Sequence, residues 1–287
     1  MTSEGTQACR VPVAYASCSD SAEEGLAQRY VKALQEDGFC LIENLVPQML
    51  CRNLCHYFND LFESPGSCFT ISSGVGLLVG AVNHAPMIAE YLATPLVIAI
   101  AEMLFRSTAR ISYTTLLLNR SGVGNQSLHA DWPFDQTQAS YIRSPYFDNP
   151  MHLTSLWALT PPDADSGGTM VIPGSHRLTT NPTASGYASE SGRSATGRIV
   201  LGPEGSALIM DSRLWHGRVQ NRSPHSRVVF SAGYSPWWLN LEPLRPGSVL
   251  PGLHNEAAAK DIRVPLVPRP VFDQFSPQAK ALFAHWI

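Results

Sequence analysis

The run ISYTTLLL, residues 111–118, marks the point at which the chain changes from helical to β-rich sequence. Its β-branched and aromatic residues favour an extended strand. Three similar runs follow, separated by Gly, Pro, Asp and Asn: HLTSLWAL (152–159), ALIM (207–210) and RVVF (227–230). Strands at this spacing predict a β-sandwich or β-barrel.

The sequence before this run is predicted to be mainly helical. Its apolar residues recur at helical spacing, and Pro47 stands where a proline suits the first turn of a helix. The elements expected here are helices over 21–35, 47–62 and 85–105, the last broken near Pro95, and a short buried strand over 39–42.

Composition limits the kind of partner that the chain can have. The 287 residues are 44% hydrophobic and 15% charged, which suits a packed core and excludes a disordered or fibrous protein. A formal net charge of −3 gives no overall attraction for nucleic acid or for an anionic membrane. Only Lys32, Lys260 and Lys280 are lysines, so a site that needs positive charge is expected to use arginine.

The apolar stretches are all too short to cross a bilayer, which takes about 20 residues. The N-terminal MTSEGTQACR has neither the basic region nor the apolar region of a signal peptide. We therefore expect a cytoplasmic protein without a membrane partner.

The chain is expected to fold as one domain. We predict a flexible N-terminus over 1–20 and a single catalytic domain over 21–287, with its β core at about 110–240. Residues 179–196 are almost wholly small and polar, which indicates a surface loop and leaves open whether it acts as a lid.

Two histidines and an aspartate form the candidate metal site. His129 and Asp131 are two residues apart, so on an extended strand both side chains point to the same face. Together with His216 they would make a facial triad, which binds ferrous iron and leaves adjacent positions open for a co-substrate and dioxygen. Arg227 follows at the start of a β-rich run, and a guanidinium buried there would need a carboxylate such as that of 2-oxoglutarate.

Four separate blocks of sequence resemble one known family, the phytanoyl-CoA dioxygenase-like branch of the iron(II)/2-oxoglutarate-dependent oxygenases. The blocks are His129-Ala-Asp131, the run 155–159, the run DSGGTMVIPGSH (165–176), and Trp215-His216 with Asn221, Ser223 and Arg227. The resemblance covers about residues 25–240 and implies a mainly β fold with flanking helices, namely a double-stranded β-helix (a cupin-like jelly roll) with the N-terminal helices packed outside. It implies that His129, Asp131 and His216 bind iron, that Arg227 anchors 2-oxoglutarate, and that Gln126, Trp157 and Thr169 line the co-substrate.

The resemblance also implies the reaction. Iron(II), 2-oxoglutarate and dioxygen would oxidise a substrate carbon, with release of succinate and carbon dioxide. Hydroxylation is the default outcome, and desaturation, epoxidation or rearrangement are further outcomes of the same chemistry. Halogenation is disfavoured because related halogenases carry a small residue in place of the carboxylate of Asp131.

The substrate is less well specified by the sequence. Trp132 and Phe134 directly follow the metal motif and would either line an apolar pocket or pack in the core. Arg218 stands where relatives usually carry a small residue, and on an extended strand it would share a face with His216. Because the clustered positive charge that a coenzyme A thioester needs is scarce, we expect a free small molecule, such as a secondary metabolite.

Two other functions remain open at this stage. The same three side chains would also suit a zinc-dependent hydrolase, although that function leaves Arg227 unexplained. The fold would also serve as a non-enzymatic binding module that keeps its metal site. The oligomeric state is left open between a monomer and a homodimer.

Overall fold

The computed structural model describes residues 10–12, 20–132, 149–178, 182, 197–248 and 263–287. The expected flexible N-terminus and the expected surface loop over 179–196 therefore lie almost entirely outside the described residues, and Phe134 lies outside them as well. None of the described helices is both long enough and apolar enough to span a membrane.

Within these ranges the chain forms eleven strands and six α-helices. The strands are β1 (Arg10–Pro12), β2 (Phe39–Glu43), β3 (Thr70–Ser72), β4 (Val75–Val79), β5 (Ala109–Asn119), β6 (Leu153–Ala158), β7 (Thr169–Val171), β8 (Arg198–Val200), β9 (Ala207–Asp211), β10 (His216–Arg218) and β11 (Arg227–Pro236). The α-helices are α1 (Asp20–Asp37), α2 (Gln48–Glu63), α3 (Ile88–Leu92), α4 (Pro95–Phe105), α5 (Arg269–Phe272) and α6 (Pro277–Phe283).

The described strands form two sheets of a jelly roll. The larger sheet has eight strands in the order β1-β2-β9-β6-β11-β5-β4-β3, and the smaller has the order β10-β7-β8. All the pairs except β1 with β2 are antiparallel. The predicted fold, a mainly β jelly roll with flanking helices, is therefore confirmed.

The helices cover one face of the larger sheet. Side chains of α1 and α4, such as Tyr30 and Ile100, pack in one cluster with Trp157 of β6 and Phe230 of β11. Since side chains alternate along a strand, the strand residues next to Trp157 and Phe230 point to the opposite face of the larger sheet, towards the smaller sheet. The space between the two sheets is thus left for a site.

The strand core is wider than the predicted range of 110–240. Strand β2 pairs with β9, and β4 pairs with β5, so the first 80 residues supply strands to the larger sheet. The sequence indicates buried strands for 39–42 and for the apolar, glycine-containing run 74–80, and β2 and β4 confirm both. The predicted break at Pro95 is observed, because α3 ends at Leu92 and α4 begins at Pro95.

Candidate active site

The two histidines of the predicted metal site lie side by side, because their backbones pair. His129 and His216 form an isolated antiparallel bridge, in which each backbone N–H donates to the other's carbonyl oxygen at 2.9 Å. Their Nδ1 atoms lie within hydrogen-bond distance of the carbonyl oxygens of Ser127 (3.2 Å) and Leu214 (2.9 Å). Donation from each Nδ1 leaves each Nε2 lone pair free for a metal.

Asp131 completes the cluster. Its Oδ1 lies 3.5 Å from His129 Nε2, and its Oδ2 lies 3.6 Å from His216 Nε2. One ligand atom from each of the three residues lies within 4.8 Å of the other two. Two imidazole nitrogens and one carboxylate that converge in this way fit the donor set of a non-haem iron(II) site.

The charge states of these side chains suit metal binding. Burial, together with the neighbouring His216, lowers the pKa of His129 to about 4, so this imidazole is neutral at pH 7. Burial alone would raise the pKa of the Asp131 carboxyl, but the two histidines and a hydrogen bond from Thr154 hold it below its ordinary value. A neutral imidazole and an ionised carboxylate are the forms that ligate a cation.

A chain of buried polar side chains runs away from Asp131. Thr154 Oγ1 donates to Asp131 Oδ2 at 2.7 Å and lies 2.8 Å from Ser212 Oγ. Ser212 Oγ lies 2.6 Å from His152 Nδ1, and His152 Nε2 lies 2.6 Å from Ser112 Oγ. All four residues behind Asp131 are at most 2% exposed.

The carboxylate fixes the direction of this chain. An ionised Asp131 only accepts, so the single hydroxyl proton of Thr154 is committed to it and Thr154 must accept from Ser212. Ser212 in turn accepts from His152, which places the proton of a neutral His152 ring on Nδ1 and leaves Nε2 to accept from Ser112. Every hydrogen bond in this network is then donated in the direction of Asp131.

The cluster opens into a cavity of about 650 Å³ between the two sheets. The larger sheet supplies an apolar wall that includes Val75, Leu77 and Val79 of β4. The smaller sheet supplies Thr169 and Arg218. The cavity therefore combines an apolar wall with a cationic region beside the metal cluster.

Arg227 lies in the same cavity and is only 6% exposed. Its Nη atoms make long contacts with the carbonyl oxygen of Gly168 (3.5 Å) and with Thr169 Oγ1 (3.4 Å), and its buried Nε has no hydrogen-bond partner among the described residues. Burial, with Arg218 nearby, lowers the pKa of this guanidinium to about 10. A buried cation with an unused donor fits the distal carboxylate of a 2-oxo dicarboxylic acid.

Arg218 lines the cavity as well, on the face that the sequence predicted. It lies directly opposite Thr169 in the pairing of β10 with β7, and its Nε donates to the carbonyl oxygen of Gly124 at 3.2 Å. The described residues that line the cavity thus include two with guanidinium groups, Arg218 and Arg227.

The other predicted site residues divide between the cavity and its surroundings. Gln126 and Thr169 line the cavity. Trp157 is not among the described residues that line it, which differs from what the family resemblance implies. It is completely buried on the helix-covered face of β6, where its indole N–H donates to Ser155 Oγ at 2.9 Å.

Trp132, for which the sequence left a pocket and a core position open, packs against the hydrophobic core and is not among the described residues that line the cavity. Its ring stacks on that of His152, with a centroid distance of 6.3 Å, and so covers the polar chain behind Asp131. Phe134 lies outside the described residues. Sequence reasoning missed Thr154, Ser212 and Ser112, since small hydroxyl residues in β-rich sequence carry no signal of their partners.

Comparison with known proteins agrees with this geometry. A model of the family described as phytanoyl-CoA dioxygenase (PhyH) matches residues 34–229. "Dioxygenase andF" of Emericella variicolor is 27% identical over 217 residues, which cover 72% of this chain and 73% of that protein. The uncharacterized protein Rv1501 of Mycobacterium tuberculosis is 26% identical over 164 residues, and the match covers 55% of this chain and about half (54%) of that relative.

Among solved structures, the non-haem α-ketoglutarate-dependent carbocyclase SnoK from nogalamycin biosynthesis has a similar fold. The two superpose with a TM-score of 0.57 at 16% identity, over 79% of this chain and 87% of that one. The fold is thus shared with an enzyme whose sequence is only distantly similar. Since the family model covers well over half of the sequence, the chain belongs to the phytanoyl-CoA dioxygenase family.

Proposed function

We propose that this protein is a non-haem iron(II)/2-oxoglutarate-dependent dioxygenase that oxidises a small organic molecule in secondary metabolism. Hydroxylation is the expected outcome, and desaturation, epoxidation and rearrangement are alternative outcomes on the same site. The observation that carries the proposal is the presence in one cavity of a His/Asp/His cluster and of the buried guanidinium of Arg227, whose Nε has no hydrogen-bond partner among the described residues.

In this proposal the residues of the site have separate roles. His129, Asp131 and His216 hold iron(II), and Arg227, with Thr169 beside it, holds the distal carboxylate of 2-oxoglutarate. Gln126 lines the same cavity. When bound, iron(II) and 2-oxoglutarate supply with dioxygen an oxidant for a substrate C–H bond, with release of succinate and carbon dioxide.

The protein's own contribution is orientation and exclusion of water. Thr154 fixes the carboxylate of Asp131. The backbone carbonyl oxygens that the two Nδ1 atoms contact orient the rings of His129 and His216. Apolar side chains of β4 line the same cavity, and an apolar wall of this kind limits access of water to reactive species. A cavity of about 650 Å³ supports a free small molecule as the substrate.

A zinc-dependent hydrolase remains the second candidate, since zinc accepts the same three ligands. It gives no role to Arg227, whose burial is costly without an anion. A non-enzymatic binding module would likewise not need the open metal positions.

The test is anaerobic titration of the apoprotein with iron(II) and 2-oxoglutarate, followed by the visible metal-to-ligand charge-transfer band. We expect the band in the wild type, no band in His216→Ala, and a band that needs much more 2-oxoglutarate in Arg227→Ala. Folded, metal-loaded protein that gives no band would contradict the proposal and favour the hydrolase or the binding module.

A further inference from the structure

The second guanidinium of the cavity has no role in the proposed function. We propose that Arg218 binds a carboxylate of the organic substrate, so that the enzyme acts on an acid and holds it by its charged group beside the metal. This inference rests on the proposed function and specifies the substrate class for the same site.

Strand geometry brings Arg218 close to the metal cluster. His216 and Arg218 are two residues apart on β10, so their side chains point to the same face with Cα atoms about 6.6 Å apart. Both residues line the cavity. A carboxylate held by Arg218 would therefore place the neighbouring carbon atoms of the same molecule within reach of the reaction centre.

The charge balance of the cavity calls for one more anion. Among the described residues that line it, the charged groups are one carboxylate, Asp131, and two guanidiniums, Arg218 and Arg227. Iron(II) brings two positive charges and 2-oxoglutarate brings two negative ones. One positive charge is left over, and an unbalanced charge in a partly desolvated cavity is unfavourable.

The two arginines differ in a way that assigns the co-substrate to one of them. Arg227 is the deeper group, with an unused Nε and with Thr169 beside it. Arg218 is less buried, and its Nε is already engaged by the carbonyl oxygen of Gly124. Its Nη atoms form no hydrogen bond or ion pair with the described part of the chain, so they remain for a ligand that enters after the co-substrate.

The rest of the cavity suits the carbon body of such an acid. Val75, Leu77 and Val79 present aliphatic side chains along β4, and Leu156 and Val229 add to the same lining. A carboxylate at Arg218 with an apolar body against this wall would leave no polar group of the substrate unpaired.

The test measures binding of a simple acid to the loaded protein. Protein with cobalt(II) and saturating 2-oxoglutarate is titrated with 4-fluorobenzoate and, separately, with the neutral 4-fluorobenzamide, followed by fluorine NMR. We expect the acid to bind about tenfold more tightly than the amide, since a charge-assisted pair is lost in the amide. Line broadening by the paramagnetic cobalt should show that the acid lies near the metal.

Arg218→Gln should remove this preference, and Arg218→Lys should retain part of it. The matched control is Arg222→Gln, because Arg222 is exposed and is absent from the cavity lining. Equal binding of acid and amide by the wild type, or an unchanged preference in Arg218→Gln, would overturn the inference.

The dissociation constant of 2-oxoglutarate, measured on the same variants with iron(II), shows whether Arg218 binds a carboxylate of the substrate or one of the co-substrate. We expect it to change less than threefold in Arg218→Gln. A tenfold rise would show that Arg218 serves the co-substrate, which overturns the inference but leaves the proposed function intact. Absence of the charge-transfer band from the wild type would instead overturn the proposed function, and this inference with it.

Discussion

Thr154 donates a hydrogen bond of 2.7 Å to Asp131, the carboxylate of the candidate metal site. Thr154 belongs to β6 of the larger sheet, whereas Asp131 lies in the segment between β5 and β6. The backbone N–H of Asp131 also donates to the carbonyl oxygen of Ser212 at 2.7 Å. The position of the carboxylate is thus set by groups on both sides of it, before any metal binds.

Replacing Thr154 with valine should weaken metal binding. Valine has nearly the same shape but no hydroxyl, so Asp131 would lose its side-chain donor and its fixed orientation. Removal of such a partner typically costs about 10- to 100-fold in metal affinity. Titration of the apoprotein with cobalt(II), followed by its visible absorption, measures the change.

Thr154→Ser is the matched control, because it keeps the hydroxyl and should bind cobalt(II) like the wild type. Equal affinities for all three proteins would show that this hydrogen bond does not position the carboxylate.

Replacing Arg227 with leucine should weaken 2-oxoglutarate binding selectively. The leucine keeps an apolar side chain in the buried position but offers no partner for the distal carboxylate. Loss of a charge-assisted, desolvated pair should raise the dissociation constant by about 10- to 100-fold. The measurement is the charge-transfer band at increasing 2-oxoglutarate.

Pyruvate provides the control for that variant, since it has the 2-oxo acid group but no distal carboxylate. Its affinity should be nearly the same in wild type and Arg227→Leu. A comparable loss for pyruvate would show general damage to the cavity rather than loss of an anchor.

The sequence predicted the main layers of this fold and the metal cluster for different reasons. The β-rich runs of the sequence form β5, β6, β9 and β11, because their β-branched and aromatic residues strongly favour strands. The three candidate ligands were predicted from a two-residue spacing and from the family resemblance, and the fold brings them together. The short strands β7 and β10 were not expected as separate elements, because three residues are too few for a periodic signal.

Trp157 shows where a motif and strand geometry disagree. The motif suggested a co-substrate contact, but Thr154 and Leu156 of the same strand line the cavity, and alternation therefore turns Trp157 to the helices. His152 shows the opposite limit. Its hydrogen-bond partners Ser212 and Ser112 are 60 and 40 residues away in sequence, so only the fold reveals the network of hydrogen bonds that His152 belongs to.

His285 should make the protein less stable in acid. Its pKa in the folded protein is lowered to about 4 from the ordinary 6.5, first by burial and then by Arg110 and Arg245. The unfolded chain therefore takes up a proton at a higher pH than the folded one. Stability that is fully present above pH 6.5 is lost as the pH falls through about 4.

His285→Gln should reduce this loss. The His285 Nε2 lies 2.8 Å from the carbonyl oxygen of Ile111, and a glutamine amide also donates there but does not titrate. Urea unfolding at pH 7.5 and pH 4.5 tests this: the two proteins should be similar at pH 7.5, and the variant should lose less stability at pH 4.5. An equal loss in both proteins would assign the acid sensitivity to other groups.

The last prediction concerns Gly233, which makes room for the polar chain behind Asp131. The pairing of β11 with β5 shifts between Gly233 and Tyr234, so Ser112 is the extra residue of a β-bulge. A Cβ on Gly233 would overlap Ser112 Oγ and would lie 2.6 Å from His152 Nε2. Gly233→Ala should therefore break the hydrogen bond between these two residues and destabilise the fold by about 1–3 kcal/mol.

Two controls separate this effect from that of a new methyl group alone. Gly25 lies in α1, where a Cβ meets nothing within 4 Å, so Gly25→Ala should stabilise the protein by about 0.5–1 kcal/mol. Adding Ser112→Ala to Gly233→Ala removes the atom that overlaps, so the double variant should be more stable than the sum of the two single changes predicts. Additive changes in the free energy of unfolding, measured in urea, would mean that a Cβ at position 233 does not overlap Ser112. The glycine would then be required for a reason other than the hydrogen-bond network behind Asp131.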